Sequence, residues 1–160
     1  MRNLQAQFKQ RDVRKEYLAL AWGHPAPAAG TIRTRIRRHP TRRQVMSVDR
    51  IEGRMSITHY ETIEAFAASS LLRLRIETGR THQIRVHLAH IGHAILGDSL
   101  YGRSHGRRAP TPISRHMLHA SRLTFTHPRT GLELEFDSPP PEDFRAMIRA
   151  LRAGHTPADS

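Results

Sequence analysis

The sequence has no cysteine, only two lysines (Lys9 and Lys15) and one tryptophan among its 160 residues. The absence of cysteine excludes disulfides, thiolate zinc sites and cysteine nucleophiles. No run of about 18 apolar residues is present, and the first residues lack the charged-then-apolar pattern of a signal peptide. We therefore predict a cytoplasmic protein without a membrane-spanning segment.

The charge is strongly one-sided. Lysine and arginine number 26 against 14 aspartates and glutamates, which gives a net charge of +12 with histidine neutral. Because the planar guanidinium fork pairs with phosphates and base edges, this charge predicts a nucleic-acid partner. A genome rich in G and C would also enrich arginine over lysine, so the net charge carries more weight than the choice of arginine.

Alternation of apolar and polar residues predicts strands over most of the chain. The predicted strands lie at 13–22, 31–43, 45–48, 56–66, 72–76, 122–126 and 132–137, the last two joined by a hairpin turn. Helices are predicted at 1–11, at 82–91 and after the three prolines at 139–141, and basic residues fill a loop at 102–112. This order predicts one α+β domain over residues 1–153, with a mostly antiparallel mixed sheet and short helices, followed by a disordered tail at 154–160.

The second predicted strand carries a basic stripe. Arg33, Arg35 and Arg37 alternate with Ile32 and Ile36 in this segment. Period-two spacing places the isoleucines on one face and the arginines on the other, where they could bind RNA. A solvated charged edge that discourages aggregation is an equally good interpretation.

A short helix directly after a strand carries the densest group of polar residues. Thr81 is its predicted N-cap, and Gly92 occupies the position of a C′ glycine. Arg80, His82 and Arg85 are expected to converge near the helix N-terminus, where a guanidinium suits a phosphate or a carboxylate. A surface helix with solvated arginines is the alternative.

Three other features allow more than one interpretation. His87 and His90 have the spacing of a helical metal pair, but no His-Glu-x-x-His pattern accompanies them, so we predict no metal. Asp98 lies in a glycine-flanked turn, where an aspartate usually caps the turn. Tyr17 lies on the opposite strand face from Leu18, where it could be a core residue or could stack on a flipped base.

Seven further segments are notable: KEYLA at 15–19, THY at 58–60, ETGRTHQIRVH at 77–87, IGHAILGD at 91–98, YG at 101–102, LHA at 118–120 and SPPPEDF at 138–144. In this order and spacing they together resemble the RluA-type RNA pseudouridine synthases. The resemblance extends from about Leu4 to Phe144. It implies the catalytic fold of these enzymes and a cofactor-free isomerisation.

The implied reaction flips a uridine out of ribosomal or transfer RNA, breaks its glycosidic bond and rejoins the uracil through a ring carbon. In this family an aspartate initiates the chemistry, a tyrosine packs on the base and an arginine pairs with the aspartate. The tyrosine falls on Tyr17 and the arginine on Arg85. Lys15, Arg80 and His82 lie in the same motifs and are candidate RNA contacts, and the protein is expected to be a monomer.

One departure from the family pattern concerns the acid itself. The family's aspartate lies in a His-Arg-Leu-Asp-x-x-Thr-Ser-Gly motif a few tens of residues before the position of Lys15, and none of the six aspartates here has that context. We expect a truncated gene model, since the remaining motifs are intact. An enzyme split over two chains and a decayed remnant are the alternatives.

Three functional hypotheses follow from this departure. The leading one is an RNA pseudouridine synthase represented by a chain that is inactive alone, with sheet edge and apolar surface uncovered and Arg85 lacking a carboxylate. A non-catalytic basic RNA-binding module is the second. A metal-dependent hydrolase built on the histidines is the third.

Overall fold

The computed structural model describes residues 4–10, 12–102 and 109–154. Its strands are β1 (Arg14–Trp22), β2 (Ala29–Arg38), β3 (Met46–Asp49), β4 (Arg54–Ala65), β5 (Ser69–Ile76), β6 (Leu118–Thr126) and β7 (Glu133–Asp137). Its helices are α1 (Leu4–Gln10), α2 (Gln83–His90) and α3 (Glu142–Ala153). The predicted α+β class is confirmed.

The strands form one seven-stranded sheet in the order β3-β2-β4-β5-β1-β6-β7. Every pairing between these strands is antiparallel, so the predicted mixed character is not found within the described residues. The predicted hairpin is confirmed, because Arg122 pairs with Asp137 and Thr126 with Glu133. The sheet has two outer strands, β3 and β7.

Helix α2 packs on one face of the sheet. Ile32, Thr58 and Ile76 are neighbours across β2, β4 and β5 and therefore share this face. The Thr58 hydroxyl is hydrogen-bonded to Gln83 Nε2 at 3.0 Å and to His87 Nδ1 at 2.8 Å, both on α2. These bonds fix the position of the helix over the sheet.

Strand β1 changes its partner halfway along. Its first part pairs with β6 as far as Ala19, whereas Trp22 N–H donates to the Ala94 carbonyl at 2.9 Å. Leu96 N–H donates to the Leu20 carbonyl at 2.8 Å. The segment from Ala94 to Leu96 is thereby held against the centre of the sheet, and the turn that follows it is fixed close to α2.

Helix α3 completes the core. Phe144 and Met147 are buried in the same apolar cluster as Leu20 and Leu71. The predicted acidic first turn is present, with Glu142 and Asp143. The basic loop at 102–112 lies partly outside the described residues, as do the ends of the predicted first helix and the predicted tail.

Candidate functional site

The start of α2 is organised by the side chain of Gln83, which is 3% exposed. Its Nε2 donates to the Ile57 carbonyl at 2.9 Å, and its Oε1 accepts from the Thr78 hydroxyl at 2.7 Å and from Arg80 N–H at 3.1 Å. A buried amide with its hydrogen bonds satisfied fixes its surroundings closely. Gln83 therefore joins the end of β5, the helix and β4 into one unit.

The predicted N-cap at Thr81 is wrong. The helix is preceded by His82 in the left-handed region, with φ 54°, and no side chain caps it. The N–H of Gln83, the first residue of the helix, donates to the Arg80 carbonyl at 3.0 Å instead. The left-handed conformation is unfavourable for a residue with a Cβ, and such conformations cluster at functional sites.

Arg85 is paired with Asp98, a carboxylate other than the catalytic aspartate of the family motif. Its Nε donates to Asp98 Oδ2 at 2.7 Å, and its Nη2 donates to Oδ1 at 2.8 Å. The Asp98 side chain is fully buried, and Arg85 is 8% exposed. Within the described residues Nη1 of Arg85 has no hydrogen-bond acceptor. Asp98 thus holds the guanidinium in one orientation and leaves Nη1 able to donate to another group.

Asp98 also caps its turn, as predicted. Its Oδ1 accepts from the N–H groups of Leu100 and Tyr101, both at 3.0 Å. Burial by itself would raise the pKa of Asp98, but the hydrogen bonds from Arg85 and the turn outweigh it and hold the pKa below its usual range. Asp98 is therefore ionised and is held between Arg85 and the turn.

Tyr101 lies beside this ion pair. The Arg85 guanidinium carbon is 5.1 Å from the centre of the Tyr101 ring, a cation–π distance. The Tyr101 hydroxyl accepts from Met46 N–H at 2.8 Å and is hydrogen-bonded to His82 Nδ1 at 3.0 Å. Burial, with the Arg85 charge, lowers the pKa of His82 and of His116. Two neutral histidines consequently flank the ion pair at neutral pH.

Tyr17 lies on β1, opposite Leu74 of β5. It lines a mostly apolar recess with Phe8, Lys15 and Phe136, and burial raises the pKa of its hydroxyl. Phe8 and Phe136 are 52% and 54% exposed. The structure does not join Tyr17 to Arg85 by a hydrogen bond, and Arg85 does not line this recess.

The residues predicted to contact RNA have different surroundings. Arg33 and Arg35 are exposed opposite the buried Ile32 and Ile36, as the alternation predicted. Arg37 instead forms ion pairs with Asp49 and Glu52.

The predicted RNA contacts nearer the site are partly buried. Lys15 Nζ lies 4.9 Å from the centre of the Phe8 ring, and burial lowers its pKa. The Nε of Arg80 is buried without a hydrogen-bond partner within the described residues. His82 and Arg85 lie together near the start of α2.

The histidine pair considered for a metal has another role. His87 is fully buried, with Nδ1 bonded to Thr58 and Nε2 to the Thr34 hydroxyl at 2.9 Å. Both ring nitrogens are therefore occupied. Over residues 4–10, 12–102 and 109–154 no group of three or more histidines and acidic residues could hold a metal ion.

Sequence reasoning misses three members of this site. It assigns Asp98 only a turn and gives neither Gln83 nor Tyr101 a role. The signal available for Asp98 is its place between two glycines in a matching family segment. Nothing in the linear pattern shows that Asp98, 13 positions after Arg85, meets it in the fold.

The chain belongs to the RNA pseudouridylate synthase family, whose model matches residues 1–90. It is 44% identical over 149 residues to an uncharacterised RNA pseudouridine synthase of Mycobacterium bovis, covering 93% of this chain and 48% of the relative. It is 42% identical over 158 residues to the ribosomal large subunit pseudouridine synthase D of Escherichia coli, covering 91% and 47%. The chain thus spans about half the length of these curated relatives.

Solved structures give the same family. Human RNA pseudouridylate synthase domain containing 1 superposes with a TM-score of 0.74 at 31% identity, covering 99% of this chain and 75% of that one. Human RNA pseudouridylate synthase domain containing 4 gives 0.71 at 27% identity, covering 92% and 66%. None of the helices described is long and apolar enough to cross a membrane.

Proposed function

We propose that this chain forms part of an RNA pseudouridine synthase and supplies the arginine and tyrosine of its active site. The observation that carries this proposal is the buried Arg85–Asp98 pair, which lies within two of the family's matching segments. The substrate we propose is large-subunit ribosomal RNA. Support for it comes from the Escherichia coli relative, which bears that substrate in its name.

Arg85 is suited to hold a second carboxylate. Two of its nitrogens are bound to Asp98, and Nη1 remains for an acid supplied from outside the segments present here. A fixed, desolvated guanidinium keeps a neighbouring carboxylate ionised, as a nucleophile or base must be. Asp98 contributes by preventing the guanidinium from turning away.

Tyr17 is suited to contact the base. Because burial raises the pKa of its hydroxyl, the phenol is neutral at pH 7 and presents an uncharged ring and a proton donor. The isomerisation breaks the bond from the sugar to a ring nitrogen and forms one to a ring carbon, whose proton must leave while a ring nitrogen gains one. A tyrosine beside the base could take part in that proton transfer.

A chimera tests the enzymatic proposal. The part of the Escherichia coli relative that this chain does not match would be joined ahead of it, and pseudouridine in unmodified large-subunit RNA would be measured by mass spectrometry. We expect the chimera to form pseudouridine and the 160-residue chain alone to form none. Product from the chain alone would show that its own residues include the acid.

A non-catalytic RNA-binding module is the second candidate. The observation in its favour is that no His-Arg-Leu-Asp motif occurs in a sequence that carries a net charge of +12. It predicts RNA binding by the chain together with a folded but inactive chimera. An active chimera would reject it.

A further inference from the structure

His82, directly before α2, has an unusual backbone conformation. Its φ is 54°, and among the described residues it is the only one other than glycine with a positive φ. A residue with a Cβ keeps this left-handed conformation only where the surrounding structure enforces it, and such residues cluster at functional sites. The His82 side chain is therefore a candidate for a role in the reaction.

The ring of His82 is hydrogen-bonded through one of its two nitrogens. Its Nδ1 is bonded to the Tyr101 hydroxyl at 3.0 Å, and the two rings meet edge to face with their centres 5.8 Å apart. Within the described residues Nε2 has no hydrogen-bond partner, and His82 is partly exposed. Nε2 is therefore available to a group from outside the chain.

The Tyr101 hydroxyl determines which nitrogen of His82 carries the proton. This hydroxyl already accepts from Met46 N–H at 2.8 Å. Because its own proton has no other acceptor within the described residues, the hydroxyl donates to Nδ1 of His82 rather than accepting from it. Burial, with the Arg85 charge, lowers the pKa of His82 and keeps the ring neutral at neutral pH. A neutral ring that accepts at Nδ1 carries its proton on Nε2.

The Nε2 proton of His82 lies beside the Arg85–Asp98 pair. The Arg85 guanidinium carbon is 5.1 Å from the centre of the same Tyr101 ring that meets His82. Asp98 also accepts from the Tyr101 backbone N–H at 3.0 Å, so the carboxylate that orients Arg85 fixes the residue that orients His82. A nucleotide held at Arg85 would therefore lie next to His82.

We propose that His82 donates a hydrogen bond from Nε2 to a carbonyl oxygen of the target uracil, and that Tyr101 is the positioning residue that sets its tautomer. This inference rests on the proposed function, because it takes a uridine as the substrate. When the bond between the sugar and the ring nitrogen breaks, its electron pair stays with the base and negative charge spreads to the carbonyl oxygens. A fixed neutral donor stabilises this charge and keeps its own proton throughout. A phosphate would instead favour a cationic donor.

The first measurement is the nitrogen NMR spectrum of isotope-labelled histidine rings in the 160-residue chain, in which the His82 signals are identified by their absence from His82→Gln. We expect the His82 ring to be neutral at neutral pH with its proton on Nε2, and Tyr101→Phe to populate the other tautomer as well. A proton on Nδ1 in the wild type would overturn the inference. This readout does not require enzymatic activity.

The second measurement is the turnover and RNA affinity of the chimera that carries the Escherichia coli segment. His82→Ala should lower turnover by about a hundredfold, the usual effect of removing one such donor, and change affinity by less than about twofold. His82→Gln should restore part of the turnover, because its amide also presents an N–H group. Tyr101→Phe keeps the ring beside Arg85 and should lower turnover by about tenfold, because His82 then populates the wrong tautomer.

His90→Ala is the matched control, because His90 is exposed at the other end of the same helix. It should leave turnover and affinity unchanged. Equal turnover of the wild-type and His82→Ala chimeras would overturn the inference and leave the proposed function standing. An equal loss in His90→Ala, or a His82→Ala loss confined to RNA affinity, would also overturn it. An inactive wild-type chimera would overturn the proposed function and the inference with it.

Discussion

Arg85 and Asp98 form the buried ion pair on which the geometry of the candidate site depends. Two hydrogen bonds join the residues, and the carboxylate also fixes the turn that carries Tyr101. Removing one partner of a buried pair leaves an uncompensated charge, which is far more costly than losing an exposed pair.

The variant Asp98→Ala should therefore lower the free energy of unfolding by roughly 3 to 5 kcal/mol, measured by urea denaturation. Asp143→Ala is the matched control, because Asp143 forms the same two-bond pair with Arg115 at the surface. That variant should cost less than about 1 kcal/mol. Similar losses of stability in the two variants would contradict the buried role of Asp98.

His87 makes stability depend on pH. Burial, with a contribution from His90, lowers the pKa of His87 from 6.5 to about 4. Between these values the unfolded chain binds more protons than the folded one, so stability is full above pH 6.5 and is lost as the pH falls towards 4. The expected loss is on the order of 3 kcal/mol.

Urea denaturation at several pH values checks this expectation. His87→Gln keeps an amide that can bond Thr34 or Thr58 and removes the titrating group, so its stability should vary less with pH than that of the wild type. Equal pH dependence in the two proteins would show that other groups are responsible.

Among the structural elements, the turn after Ala94–Leu96 determines where Asp98 lies. Gly97 has φ +76°, and a Cβ there would lie 2.3 Å from the Arg115 carbonyl oxygen. Gly92, after α2, has a similar φ of +84°, but a Cβ added there would have no atom of the described residues within 4 Å. A substitution at Gly92 therefore tests the cost of the left-handed backbone alone, whereas one at Gly97 adds a steric collision.

Gly92→Ala should cost about 1 to 2 kcal/mol, the usual penalty of a left-handed conformation. Gly97→Ala should cost clearly more, because the backbone of Arg115 must also move. Thermal denaturation of both variants measures the difference. A Gly97→Ala protein as stable as Gly92→Ala would mean that the turn adapts without strain.

Strands are predicted well from the sequence wherever one sheet face is buried. Ile32 and Ile36 alternate with exposed arginines, and β6 and β7 form the predicted hairpin. Helix α2 is harder to interpret. All residues from Gln83 to Leu88 are buried. Polar side chains among them, such as Gln83 and His87, form hydrogen bonds with residues of β2 and β4, and these partners cannot be read from the local spacing.

On the scale of the whole molecule, composition predicts a polyanionic partner but not where the charge lies. Residues 31–54 carry +6 of the net charge in the sequence, and the fold brings this segment to Tyr101, whose hydroxyl accepts from Met46 N–H at 2.8 Å. The predicted stripe of Arg33, Arg35 and Arg37 is part of that segment, although Arg37 is paired with Asp49 and Glu52. Which arginines remain available depends on pairings that only the fold establishes.

The family resemblance predicts Tyr17 and Arg85 as site residues, and their roles remain a proposal. The structure adds a reason for Arg85, because Asp98 orients its guanidinium and, within the described residues, Nη1 has no hydrogen-bond acceptor. Asp98 could not be predicted as its partner, because their meeting depends on the hydrogen bonds that hold Ala94 and Leu96 against β1.

The most direct test is the turnover of the chimera with Arg85 replaced by alanine, measured as pseudouridine formed per minute alongside RNA affinity. The account predicts a loss of about a hundredfold or more in turnover, with affinity nearly unchanged, because the arginine stabilises the reacting acid rather than the bound RNA. Normal turnover of the Arg85→Ala chimera would contradict the assignment.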